Sequence, residues 1–208
     1  MKALLLLSGG IDSPVAGFLA KQKAEVFCLH FSSVKITGTA AKEKSKKIAE
    51  KLGAEFFCID FSDALQEIVK KTDRKLYFVL MKRLMLKTAE RICEKKGFDL
   101  IVTGENLGQV SSQTLQNLVS ISFGVKKPVA RPLLCFDKQE IIDLSKKLGF
   151  YELSSGPETC DVLGPKHPAT KSFQAMVSAE EKKAGFEEIT EKLLLSFEKQ
   201  TKTQKTTE

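Results

Sequence analysis

The sequence predicts an α/β fold: an open, mostly parallel sheet with helices on both faces. Three observations lead there. Short apolar runs alternate with helical stretches along the chain, the order expected of βαβ units. The leading run, Ala3-Leu4-Leu5-Leu6-Leu7, is unbroken and reads as a buried strand. Stop and start signals fall between the runs: Pro14 in a first helical turn, Gly53, Gly97 and Gly149 after helices, and Asp137 three residues before Glu140.

In order, Lys2–Leu7 reads as a strand and Ser13–Lys21 as a helix. Glu25–Phe31 (EVFCLHF) is the second strand, and Ala40–Leu52 (AAKEKSKKIAEKL) a helix closed by Gly53. Glu55–Asp60 is the third strand, followed by a polar helix over Ser62–Lys71. A long helix over Lys75–Lys96 places Val79, Leu80, Leu84, Leu86, Ala89, Ile92 and Cys93 mostly at helical spacing. Leu100–Thr103 is a fourth strand and Ser111–Phe123 a helix. Pro128–Leu133 is extended, because two prolines exclude a helix. The Asp137–Glu140 capping box starts a helix running to about Leu148. Tyr151–Lys171, with three prolines and two glycines, is expected as a long loop. Helices near Ser172–Lys183 and Glu187–Glu198 precede a polar tail.

The 208 residues suit one domain with a short appendage. Hydrophobic residues make up 42%, which excludes a disordered chain. No apolar run approaches the ~20 residues that span a bilayer, so no membrane association is expected. Five cysteines without CxxC spacing argue against a structural zinc site and a secreted disulfide scaffold, so a cytoplasmic protein with reduced thiols is expected. The net charge of +7 hints at a polyanionic partner. Lys70 to Lys96 alone holds ten Lys or Arg against three Asp or Glu. That stretch reads either as a phosphate-backbone track or as a solvated helix face.

The first strand ends in Ser8-Gly9-Gly10-Ile11-Asp12-Ser13 and a helix follows at once. Two glycines permit a tight turn and close ligand approach. Serine hydroxyls and unpaired N–H groups at a helix start make an oxyanion cradle. The plainer reading is an ordinary turn capped by Asp12 or Ser13.

With LLSGGIDSPVAG, VLMKRLMLKTAERI, VTGENLGQVSSQT, RPLLCFDKQEIIDLSKKLG and PKHPATK in this order, the chain resembles the catalytic domain of the tRNA 4-thiouridine synthetase (tRNA sulfurtransferase) family. These are PP-loop ATP pyrophosphatases, and the resemblance runs from Lys2 to Lys171. It implies a PP-loop domain over 1–172; the residues beyond it read as a helical extension over 173–199 and a disordered tail over 200–208. It implies that ATP is split to AMP and pyrophosphate to adenylate a tRNA uridine, and that sulfur then replaces AMP to give 4-thiouridine.

Carried over by resemblance, the nucleotide contacts are Leu6, Leu7, Ser8, Gly9, Gly10, Asp12, Ser13, His30, Phe31, Lys82, Gly104 and Gln113. Lys82 stands where the family usually has arginine, which keeps the charge and loses the bidentate fork. Asp12 is the implied Mg²⁺ or phosphate-ordering group, Lys138 the implied cation at the α-phosphate, and Cys160 the implied sulfur-bearing nucleophile. Cys160 is followed by Asp161, so no resolving thiol adjoins it; Cys135 is positioned to approach the site, and Cys28, Cys58 and Cys93 read as buried. The family's THUMP and rhodanese domains are not matched. The implied partners are therefore tRNA, bound weakly by this domain alone, a separate THUMP-containing tRNA-binding protein and a sulfur-donor protein. The rival readings are a PP-loop enzyme adenylating a small molecule or a sulfur-carrier protein, as in thiamine thiazole synthesis, and a nucleotide-binding regulatory module. Asp12, Lys138 and Cys160 together argue against the last.

Overall fold

Five strands pair in the spatial order β3-β2-β1-β4-β5, every pair parallel. They are β1 (Lys2–Leu6), β2 (Glu25–Ser32), β3 (Phe56–Asp60), β4 (Leu100–Val102) and β5 (Val129–Ala130). The structure, a computed structural model, describes residues 1–155 and 162–205. β1 is central because both its faces are covered: Ala3, Leu4 and Leu5 are wholly buried, which is why the run is unbroken rather than alternating. β5 is held to two residues between Pro128 and Pro132, neither of which has an N–H for a ladder.

One face of the sheet carries α1 (Asp12–Lys21), α3 (Ala40–Leu52) and α7 (Lys138–Lys147), packed on Ala3, Leu5, Val26 and Val102. The other carries α4 (Ser62–Lys71), α5 (Tyr77–Lys96), α6 (Leu115–Ser122), α9 (Gln174–Ala184) and α10 (Phe186–Lys205), with Leu4, Leu29 and Ile101 beneath. The C-terminal helices are part of this second core. Phe186, Leu194 and Phe197 of α10 are buried, and the Phe197 ring meets Phe57 of β3 edge-on at 5.4 Å. Burying each such aromatic is worth roughly 1.5–3 kcal/mol.

Most boundaries fall as the sequence predicts, including the Asp137–Glu140 capping box, closed by bonds of 2.9 and 2.8 Å. Four differ. A short helix, α2 (Val34–Thr37), interrupts the link after β2. The helix expected over Ser111–Phe123 is a 3₁₀ turn at Ser111–Gln113 and then α6, because Thr114 takes an extended backbone and caps Asn117 N–H. The long loop opens with a helical turn, α8 (Tyr151–Ser154). α10 runs on to Lys205, into the stretch expected as a tail. Among the described residues, no helix is long and apolar enough to cross a membrane.

Candidate active site

β1 is followed in the chain by its neighbour on one side, β2, and bonded on the other side to β4. This divergence opens a crevice at the strands' carboxyl ends, where such sheets bind ligands. Ser8–Ser13 fills its floor. Gly9 has φ +82°, a conformation that side chains rarely adopt, and a Cβ there would lie 3.0 Å from Ser45 Oγ. Ser8 N–H donates to Ser13 Oγ (3.1 Å), Gly10 N–H donates to Ser8 Oγ (3.2 Å), and the two hydroxyls lie 3.2 Å apart. The loop is thus braced from within. α1 has no side-chain cap, so neither Asp12 nor Ser13 serves the capping role of an ordinary turn. Its first-turn N–H groups and positive dipole end remain available to an anion, and this donor set fits an oligophosphate.

Lys138, the first residue of α7, reaches back to this loop. Its Nζ donates to Asp12 Oδ1 at 2.9 Å and to Gln109 Oε1 at 3.0 Å. An open groove of about 440 Å³ runs beside it, lined by Asn106, Gln109, Phe136 and Lys138 among others. Asn106 Nδ2 fastens the groove's two walls by donating to the carbonyls of Leu133, at 2.9 Å, and Phe136.

Gly104 packs against the backbone of the phosphate loop's helix. A Cβ on it would sit 2.7 Å from Ser13 N and 2.8 Å from Ser13 Cα. The loop after β4 therefore lies directly against the start of α1, and only glycine permits that. Gln113 closes the far end of the same loop, its carbonyl accepting from Gly108 N–H at 3.0 Å, and its buried Oε1 has no partner among the described residues.

Leu6 and Leu7 lead into the loop. Leu7 is buried, donates from its N–H to Leu29 O (2.9 Å) and offers its carbonyl to His30 Nδ1 (2.8 Å). Ser45 Oγ lies 3.1 Å from the same nitrogen. His30 is buried, and its Nε2 has no partner among the described residues. Burial lowers its pKa, the Leu7 bond opposes that, and nearby Lys42 lowers it further, so the ring is held neutral below the usual 6.5. Phe31 points to the opposite face, its ring edge-on to Phe61 at 5.0 Å.

Lys82 does not stand free. Its Nζ pairs with Glu105 Oε1 at 3.2 Å, and Arg131 Nε pairs with Glu105 Oε2 at 2.8 Å. Thr103 Oγ1 adds a bond of 3.2 Å to that carboxylate, and Arg131 Nη2 donates to Ser122 Oγ at 2.6 Å. Burial works to raise the Glu105 carboxyl, but the charges of Lys82 and then Arg131 outweigh it and hold it below its ordinary 4.5. Sequence reasoning missed Glu105, Arg131 and Ser45. The signal for Glu105 was a carboxylate directly after an apolar strand, inside the TGEN block.

Cys160 lies outside the described residues. Cys28 and Cys93 are pushed up to about 12 by burial, and Cys58 is raised by burial as well. These thiols stay protonated, whereas Cys135, beside Phe136 of the groove, is exposed. Among the described residues no three His, Cys, Asp or Glu groups converge as a metal centre would need.

Many charges of the basic stretch from Lys70 to Lys96 have partners within the fold. Lys71 pairs with Glu67, Arg83 and Lys87 with Glu181, Arg91 with Glu191, and Lys95 with Glu198. Lys96 lies over the rings of Phe57 and Phe197. Arg83, Lys87, Arg91, Lys95 and Lys96 thus help to dock α9 and α10.

Comparison with known proteins places this geometry. The chain is 42% identical over 190 residues to a probable tRNA sulfurtransferase of Caldanaerobacter subterraneus subsp. tengcongensis, covering 87% of this chain and 50% of that protein. It is 38% identical over 213 residues to the probable tRNA sulfurtransferase of Oceanobacillus iheyensis, covering 99% and 53%. The chain thus spans about half the length of the curated relatives it matches. Among solved structures, a 4-thiouridine synthetase–RNA complex with bound ATP is similar with TM-score 0.88 and 37% identity, over 94% of this chain and 53% of that one. The U34-tRNA thiolase NcsA of Methanococcus maripaludis shares the fold at TM-score 0.58 and 20% identity, over 92% and 72%. The strand order, the braced loop at the switch point and the two faces of helices are those of a PP-loop ATP pyrophosphatase-type domain. The family model described as Thiamine biosynthesis protein (ThiI) matches residues 1–186, and the chain belongs to that family.

Proposed function

We propose that this chain uses ATP to adenylate a tRNA uridine and then replaces the adenylate with sulfur, forming 4-thiouridine. The observation that carries the reading is its likeness, over 94% of its length, to a 4-thiouridine synthetase in complex with RNA and ATP. The braced loop and the Asp12–Lys138 pair supply the matching chemistry.

ATP is a substrate here. The start of α1, with Ser8, Gly9, Gly10 and Ser13, binds its phosphates. The uridine O4 attacks the α-phosphorus and pyrophosphate leaves. Lys138 stabilises the charge that grows on the α-phosphate oxygens, a fixed cation where charge develops. Asp12 orients Lys138 and is the group that would hold Mg²⁺. One carboxylate is enough where phosphates supply the remaining ligands. Bound there, Mg²⁺ would neutralise phosphate charge. The terminal sulfur of a persulfide on Cys160 attacks C4 and AMP leaves. A second thiol, in this chain or a donor protein, then takes the S–S bond, leaving sulfur on C4 and a disulfide at Cys160. A THUMP-containing partner would bring the tRNA.

The test is incubation with ATP labelled at the α-phosphate and a tRNA transcript, with and without a THUMP-containing protein. Label should appear on tRNA and accumulate in Cys160→Ser, which adenylates but does not thiolate. Equal loss of both steps in that variant would make Cys160 structural. The pairing of α5's charges favours one second reading, adenylation of a sulfur-carrier protein. Label on such a protein and none on tRNA would establish it and reject the first.

A further inference from the structure

Glu105 is a buried carboxylate held between cations from two distant parts of the chain, Lys82 of α5 and Arg131 just past β5. Both oxygens are engaged: Lys82 Nζ lies on Oε1, Arg131 Nε on Oε2, and Thr103 Oγ1 also on Oε2. One negative charge is thus set against two positive ones, and the cluster keeps a net charge of about +1. A partly buried surplus of this kind is costly unless a further anion answers it. Its position supplies the anion. Residue 104, next in the chain, presses against Ser13 at the start of α1, so the cluster flanks the phosphate loop on the α5 side of the sheet. Lys82 alone is a flexible point charge. Paired with an arginine that is itself pinned by Ser122 Oγ, it becomes part of a fixed array.

We propose that Glu105 is a positioning residue that holds Lys82 and Arg131 as a fixed cation pair, and that this pair takes one phosphate group of the nucleotide. The inference rests on the ATP reading above and adds Glu105 and Arg131 to it.

The experiment measures equilibrium binding of adenosine, AMP and α,β-methylene-ATP to the full chain by calorimetry, alongside thermal unfolding. The readout is the gain in affinity from adenosine to each nucleotide. In Glu105→Gln and Arg131→Met that gain should fall about tenfold or more for at least one nucleotide, as expected for loss of charge-assisted hydrogen bonds. Adenosine affinity should stay unchanged. The double variant should lose little beyond the worse single one, because both act through one array. A merely structural role would lower the unfolding temperature and leave the gain as in the wild type, and that result overturns the proposal. If Glu105→Gln does not fold, Glu105→Asp keeps the charge but retracts it by one methylene, and together with Arg131→Met gives the same readout. A wild-type chain that gains nothing from any phosphate would overturn the ATP reading as well, which separates the two failures.

Discussion

Lys138 Nζ donates to Asp12 Oδ1 at 2.9 Å, joining the first residue of α7 to the first residue of α1. Asp12 suits its place, a carboxylate at a positive helix end. Lys138 does not, since a cation in a first turn opposes the dipole of its own helix. A local rule broken at one residue, beside a loop built for anions, marks a position kept for chemistry rather than stability.

Lys138→Met should therefore leave the unfolding temperature unchanged or raise it slightly, while adenylation falls by ~2–4 kcal/mol of transition-state stabilisation, on the order of 10²–10³ in rate. Asp12→Ala should lose a similar amount and keep the fold. Labelled-ATP turnover and thermal melts check both, and near wild-type turnover in either variant would remove that residue from the mechanism.

Gly104→Ala should separate the β4 loop from α1. The new methyl would meet backbone atoms of Ser13 rather than a movable side chain. We expect a loss of ~1–3 kcal/mol in stability, as for overpacking, together with weaker nucleotide binding. Denaturant unfolding and nucleotide titration measure the two effects, and a variant as stable and as tight-binding as the wild type would contradict the geometry.

His30 gives the site a pH dependence. Its folded pKa lies below 6.5, so the unfolded chain takes up a proton first as pH falls. The stabilisation is fully present above 6.5 and is lost as pH drops from there through the folded value. The slope is at most about 1.4 kcal/mol per pH unit for one proton. Urea midpoints between pH 7.5 and 5 should show this decline in the wild type and a smaller one in His30→Gln. Identical curves would mean that His30 is not the titrating group.

Arg83 is buried, donating to Glu181 Oε2 at 2.7 Å and to the carbonyls of Ser120 (2.9 Å) and Phe123 (2.6 Å). Glu181→Ala leaves that guanidinium without its counter-charge and should destabilise by ~3–5 kcal/mol, with α9 loosened first. Hydrogen exchange across α9 reads this directly. Unchanged protection there would refute the assigned role.

Reversing Lys95 and Lys96 to Glu should act on the fold more than on RNA. Lys95 faces Glu198, and Lys96 sits 5.3 and 5.6 Å from the rings of Phe57 and Phe197. Stability should fall by ~0.5–2 kcal/mol. The salt dependence of tRNA binding should shift by less than the ~0.9 log units expected for one phosphate contact. A full shift would mark α5 as an RNA-contacting surface.

The strands and most helices were legible because their causes are local. Ala3-Leu4-Leu5 is apolar throughout because the sheet is covered on both sides, and Asp137 with Glu140 caps α7 within one turn. Glu105 was not legible, because its partners stand 23 and 26 residues away: Lys82 meets it only once α5 packs on the sheet, and Arg131 only once β4 and β5 are paired. The pairing of the basic stretch was not legible for the same reason: Glu181, Glu191 and Glu198 arrive from roughly 100 residues downstream. The phosphate loop was read from its own residues, but the reach of Lys138 across 126 residues came from family resemblance and not from any local pattern.

The central place of β1 has a consequence for how the chain is made. One edge of β1 pairs with β2, beginning at Glu25, while the other waits for Leu100. During synthesis the β1–β2–β3 wing can close early through short crossovers, but the far edge of β1 stays bare until β4 emerges. That edge is an open template for stray strands for as long as it is bare. Docking of β4 closes the longest loop between paired strands of the sheet, the closure with the largest entropy cost. It also joins the phosphate loop to the Gly104 and Glu105 segment. The chain therefore gains its ligand crevice in the same event that removes its most association-prone surface.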